Sequence, residues 1–264
     1  MKKNLLGILL CWLVLTTILI FSLRLSLTDL SRLPVFISGT IGFSMILFEI
    51  ILSLRYTLIS RKIALATLYK MHGIFGLFLL LIVIMHASIG FPTFSLSSSI
   101  VTFFFGFSAL ALIFAVVITG VLALSSQILK KINISFFKKR RHKMLTIHRV
   151  AIVLAGLVYL HMFTLPELHE KPLFLIVTGL YLCVTVFLYG KEKRQIGKLP
   201  ESLLKENRKM SSTVHRVSLD EGNLKKYNPG QYFFLRFKES KLSNEAHPFS
   251  YSSWNGGDLL AYIK

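Results

Sequence analysis

MHGIFGLFLLLIVIMHASIGFPTFSLSSSIVTFFFGFSALALIFAVVITGVLALSSQIL, residues 71–129, holds no Asp, Glu, Lys or Arg in fifty-nine consecutive positions. A single crossing of a bilayer needs about 20 apolar residues, so this stretch is too long for one span and fits two joined by a short polar turn. The rest of the chain agrees. Of its 264 residues, 53% are hydrophobic and 16% charged, with a mean hydropathy of +0.63. A soluble domain of this size has little room to hide so much apolar surface.

Working outward, six apolar segments stand out: Leu5–Leu23, Pro34–Leu54, Leu68–Gly90, Ile100–Leu124, Leu145–Leu165 and Pro172–Gly190. The first follows Lys2 and Lys3, as a signal peptide would. Its apolar run is longer than a usual signal core and no small-x-small cleavage site follows, so it reads as a transmembrane helix. The net charge of +19 sits between the apolar segments and in the tail rather than on a soluble basic face, which argues for membrane topology and against nucleic acid. Arg55, Arg61, Lys62 and Lys70 follow the second segment, and Lys130, Lys131, Lys138, Lys139, Arg140, Arg141 and Lys143 follow the fourth. The turn around Phe91–Ser99 is uncharged, and the turn after the fifth segment carries Glu167, Glu170 and Lys171. The positive-inside rule then puts both termini in the cytoplasm of a multi-pass protein of the cell membrane, with Arg24 and Arg32 a mild exception. Cys11 and Cys183, both in apolar runs, exclude a disulfide framework and read as buried small hydrophobes.

Four of the eight histidines fall inside expected spans: His72 and His86 in the third, His148 and His161 in the fifth. An ionisable side chain at membrane depth is costly and points to function. A lone one would read as a neutral residue bonded to a neighbouring helix; two pairs on two parallel helices do not. Spacings of 14 and 13 residues correspond to roughly 21 Å and 19–20 Å along a helix axis. The pairs therefore define two levels, His72 with His148 towards the inside and His86 with His161 towards the outside. Facing imidazoles at each level suit two bis-histidine haems, and so an electron relay across the bilayer. Structural zinc would want four ligands at one height.

One detail resists a straight helix. A step of 14 residues falls some 40° short of four full turns, whereas a step of 13 falls about 140° short. The fifth helix must tilt, kink or bulge, or present its histidines at different azimuths. Two other polar residues stand near these levels. Arg149 either neutralises a haem propionate or snorkels to the inner interface. Glu49, the only carboxylate well inside a span, reads as a salt-bridge partner of a helix-end Arg or as a residue close to the interface, and is assigned no role from the sequence.

After Gly190 the composition changes. Residues 191–209 read as a basic cytoplasmic linker or short surface helix. From Met210 the pattern turns strand-like, in "STVHRVSL", "GQYFFLRF" and "DLLAYIK" separated by turn signals. The expected organisation is a membrane domain over 1–190, the linker over 191–209, and part of a β-rich domain over 210–264.

These motifs resemble the ferric reductase-like transmembrane family, which includes the NADPH oxidases. The resemblance rests on "MHGIFG" and "MHASIG", on "IHRV" and "YLHMF", and on "YNPGQYFFLRF" followed by "HPFSYSS". It implies a mainly α fold, a six-helix transmembrane bundle followed by a partial C-terminal β-barrel of the ferredoxin-reductase type that binds FAD. It implies that His72, His86, His148 and His161 ligate two b-type haems. His247, Pro248, Phe249, Ser250, Tyr251, Ser252 and Ser253 would line the flavin, with Ser250 near its ring system. The implied activity is that of an oxidoreductase passing electrons from cytoplasmic flavin to an extracellular acceptor, dioxygen or ferric iron. No glycine-rich dinucleotide fingerprint occurs, so NAD(P)H is expected only in a longer chain, of which this is a fragment, or on a partner. The competing readings are a haem-b subunit serving a separate reductase, a proton transporter using its histidines, and a structural membrane protein.

Overall fold

The computed structural model describes residues 2–25, 32–54, 63, 65–93, 100–124, 143–196, 204–212, 214–220, 232–235, 247–250, 253–255 and 258–263. The basic loop cluster from Lys130 to Arg141, Asp29, Arg55, Arg61, Lys62, the turn at 94–99, Pro229–Gly230, Tyr251 and Ser252 lie outside these residues. The chain forms two compact units, Met1–Arg194 and Gln195–Lys264.

The first unit is helical: α1 (Lys2–Ser22), α2 (Leu33–Leu52), α3 (Leu65–Thr93), α4 (Ile100–Leu124), α5 (143–148), α6 (Ala151–Thr164), the short α7 (Pro166–His169) and α8 (Pro172–Ile196). Among the described residues five helical stretches are long and apolar enough to cross a membrane: α2, α3, α4, α5 with α6 taken together over Lys143–Thr164, and α8; α1 is a further apolar helix. Proline sets several starts. Pro34 stands in the first turn of α2, and Pro166 begins α7 where its missing N–H costs nothing.

α2 is the hub of the bundle. Two-thirds of its apolar window (67%) is buried, against 6–22% for the other four spans. It packs against α1, α3 and α6, with Phe43, Leu47, Ile50 and Met45 in a core shared with Ile113 of α4 and Leu154 of α6. Trp12 of α1, Phe48 of α2 and Phe75 of α3 form a triangle of rings 5.5–5.9 Å apart, which fastens α1 to the hub. A hydroxyl pair, Thr16 with Ser44 at 2.6 Å, adds a second tie. The outward faces carry Leu77, Phe78, Leu81, Phe104, Phe107, Leu180 and Phe187, all more than half exposed. So large an apolar surface requires a lipid environment.

Two details differ from the sequence reading. Cys11 and Cys183 are exposed on the helix surface rather than buried between helices, because their faces of α1 and α8 point away from the core. Residues 191–209 are not a single linker: α8 continues through Ile196, and Leu204–Lys209 forms strand β1.

The second unit is built from β1 (Leu204–Lys209), β2 (His215–Asp220), β3 (Tyr232–Leu235), β4 (His247–Ser250), β5 (Ser253–Asn255) and β6 (Asp258–Ile263). These make an antiparallel sheet in the order β1-β2-β6-β5 and an antiparallel β3-β4 ribbon. The sequence LKENRK is exposed at every position of β1, as suits a charged sheet edge. Arg216 of β2 donates to Glu206 of β1 at 2.7 Å, while Val217 and Leu219 of β2 are buried.

Candidate functional site

The four membrane histidines meet in two pairs, one at each level. At the level that the sequence reading assigns to the inside, called inner below, His72 of α3 faces His148 of α5, with their Nε2 atoms 3.3 Å apart and their rings nearly perpendicular at 83°. At the outer level His86 of α3 and His161 of α6 line one cavity of about 410 Å³. Its walls are largely apolar and include Val35, Gly39, Val83, Gly106, Ile113 and Leu154. Arg32 and Glu167, which form an ion pair with each other, also border it.

Each pair is oriented from behind. His86 Nδ1 donates to the Val35 carbonyl at 3.1 Å, His161 Nδ1 to that of Thr102 at 3.0 Å, and His148 Nδ1 to that of Val116 at 2.9 Å. A carbonyl oxygen can only accept, so these three imidazoles carry their proton on Nδ1 and turn the Nε2 lone pair away from the anchoring helix. In every case the residue four positions beyond the carbonyl is glycine, namely Gly39, Gly106 and Gly120. A Cβ at any of them would come within 2.8–2.9 Å of the ring that rests there. The helix surface is therefore cut back so that the imidazole can reach a carbonyl of the helix backbone, in the first turn for Val35 and Thr102 and in mid-helix for Val116.

His72 is anchored differently. Its Nδ1 contacts the carboxylate of Glu49 on α2. The anchors form a lattice: Val35 and Glu49 are fourteen residues apart on α2, as are Thr102 and Val116 on α4. On α3 the histidines match that spacing. On the fifth span they are thirteen apart, and the mismatch is absorbed at Arg149–Val150, where the helix is interrupted between α5 and α6. There Val150 bonds back to Ile147 and Val153 to Val150, tightened three-residue contacts rather than a regular four-residue ladder. Both histidines of this span consequently reach carbonyls of the same helix, α4. Arg149 itself is exposed at the break.

Thr102 serves twice at the outer level. Its carbonyl takes the His161 proton, and its hydroxyl donates to the Thr164 carbonyl at 2.8 Å, clamping α4 to the end of α6. The anchors and the three glycines were not singled out from the sequence. Their signal was there, since each glycine follows its anchor by four and two of them stand fourteen apart on α4, but it needs the pairing of helices to be read.

The donor set fits a bis-histidine haem. With Nδ1 of both inner imidazoles engaged, their Nε2 atoms converge, and two lone pairs so close repel unless a proton or a metal ion lies between them. Two metal–nitrogen bonds of about 2 Å ask for about 4 Å between the nitrogens, an opening of under 1 Å. At the outer level the apolar cavity already lies in the range of small-molecule and cofactor sites. Among the described residues no group of three or more His, Cys, Asp or Glu could hold a metal ion, so the pairs do not belong to a polydentate cage.

Of the expected flavin residues, His247, Pro248, Phe249 and Ser250 form β4, and Ser253 opens β5; Tyr251 and Ser252 lie outside the described residues. Among the described residues β4 pairs with β3, so Pro248 opposite Phe234 sits in a two-stranded ribbon where its missing donor is tolerated. Comparison with protein-family models and with curated proteins finds no match to this chain.

Proposed function

We propose that this chain is a membrane oxidoreductase of the ferric reductase-like class, moving electrons from reduced flavin in the cytoplasm to an acceptor outside. In this reading α1 completes a six-helix transmembrane bundle, His72 with His148 and His86 with His161 hold two b-type haems, and residues 210–264 are part of an FAD-binding barrel. The acceptor is dioxygen or ferric iron. Haem, when bound, supplies one-electron redox chemistry; the protein supplies ligation, spacing and a low-dielectric surround. The observation that carries the reading is the convergence of His72 Nε2 and His148 Nε2 while both Nδ1 atoms are engaged from behind. His86 and His161, each held at Nδ1 by a carbonyl, line one apolar cavity fourteen residues further along α3. Carbonyl anchors of this kind set the tautomer and ring orientation that metal-ligating histidines require.

The test is a reduced-minus-oxidised spectrum with haem quantitation on detergent-purified protein. About two haems b per chain, falling to about one in His148→Ala or His161→Ala, is the expected result. A folded but colourless preparation would reject it. One observation favours a second reading: Glu49, His72 and His148 form a continuous line of ionisable groups, as a proton relay would. That reading expects a colourless protein with proton flux in liposomes that is lost in Glu49→Gln.

A further inference from the structure

Three of the four membrane histidines rest on the same device, a helix carbonyl with glycine four residues on; His72 alone does not. The position equivalent to Val35, fourteen residues further along α2, is Glu49, and the position four beyond it is Ser53 rather than glycine. Ser53 retains a Cβ, and its hydroxyl is spent on the Ile50 carbonyl at 2.7 Å. At this level the glycine notch is absent, and a carboxylate side chain reaches His72 Nδ1 instead. Glu49 is 7% exposed, and among the described residues its carboxylate contacts no Lys or Arg. A buried carboxylate without a cation is costly to keep, so its place against one histidine calls for a reason.

We propose that Glu49 is a positioning residue that makes the inner haem site the weaker electron acceptor of the two, giving the relay an outward direction. The inference rests on the haem reading above. A carboxylate takes the Nδ1 proton of a ligating imidazole more strongly than a carbonyl does, since charge-assisted hydrogen bonds are roughly twice as strong as neutral ones. The imidazole becomes a more basic ligand, which favours the oxidised over the reduced iron. The outer site, with carbonyls behind both His86 and His161, receives no such push. Transfer moves one electron from the His72–His148 site to the His86–His161 site, oxidising the first and reducing the second by one, with no bond made or broken.

The experiment is a potentiometric titration, followed optically, of the purified full chain and of Glu49→Gln. In the unaltered protein two components are expected, and His161→Ala, which spares the inner pair, keeps the lower-potential one. Glu49→Gln should retain both haems and raise only the lower component, by a shift equivalent to about tenfold in the equilibrium between the sites, or about 59 mV for a one-electron couple. Glu49→Asp should fall between the two. Two haems with unmoved potentials in Glu49→Gln, or an inner site of higher potential in the unaltered protein, would overturn the proposal while leaving the haem reading intact. Absence of haem from the unaltered protein would instead remove the reading on which it rests. If Glu49→Gln does not fold, the ordering of the two components in the unaltered chain and in His161→Ala still decides.

Discussion

Gly120 lies directly beneath His148, so close that a Cβ on it would meet the ring Nδ1 and Cε1 at 2.8 Å. The contact is with the ring itself, pinned on its far side by His72 and on its near side by the Val116 carbonyl, so the ring cannot step aside without breaking one of them. On the haem reading proposed above, Gly120→Ala should therefore remove the inner haem and leave the outer one, halving the haem-to-protein ratio. Gly156→Ala is the control: nothing lies within 4 Å of its would-be Cβ, and both haems should remain. Equal loss in the two variants would show that the notch has no role in seating the imidazole.

Thr102 separates a backbone role from a side-chain role. Thr102→Val keeps the carbonyl that holds His161 and deletes only the hydroxyl that bonds Thr164. On the same reading both haems should be retained, with a loss of stability of about 1 kcal/mol, the usual net worth of one hydrogen bond. Thermal unfolding followed by the haem absorbance checks this. Loss of the outer haem would mean that the clamp, and not the carbonyl, orients His161.

Tyr159 and Gly179 form the contact between α6 and α8. The phenol hydroxyl donates to the Leu175 carbonyl at 3.2 Å and would lie 2.8 Å from a Cβ at position 179. Gly179→Ala should destabilise more than Tyr159→Phe. Their combination should cost less than the two separately, because removing the hydroxyl removes the closest clash. Strict additivity in a double-mutant cycle would contradict this packing.

Cys11 and Cys183 report on the outer surface of the bundle. Both thiols are exposed on apolar helix faces, where lipid suppresses the thiolate that maleimides require. A charged, water-soluble maleimide should label neither in sealed vesicles and both after denaturation. Rapid labelling of Cys183 in vesicles would mean that this face of α8 lines water.

Much of this organisation was legible in the residues. Long uncharged apolar runs announce spans, because a bilayer demands about 20 apolar residues whatever the neighbours do. The strand segments at "STVHRVSL", "GQYFFLRF" and "DLLAYIK" announced themselves by alternation and became β2, β3 and β6. β1 did not, because LKENRK carries no apolar alternation and becomes a strand through pairing with β2. The four histidines and their two levels also followed from rise per residue alone. The thirteen-residue step called for a tilt, kink or bulge, or for different azimuths, and the structure shows an interruption at Arg149–Val150.

The sequence by itself determined which segments are apolar enough to cross a membrane, how many levels of histidine they carry, and that a straight fifth helix could not aim both histidines the same way, since all three depend on local composition and on distance along one helix. Only the tertiary structure decided what stands behind each imidazole. Val35, Thr102, Val116 and Glu49 are separated from their histidines by 23 to 59 positions, and the glycine four residues after each of the three carbonyls marks an anchor only once the helices are paired. That choice is made by the antiparallel register of α2 on α3 and of α4 on α5 and α6. The same register turns Glu49, a residue without an evident role in the sequence, into the partner of His72.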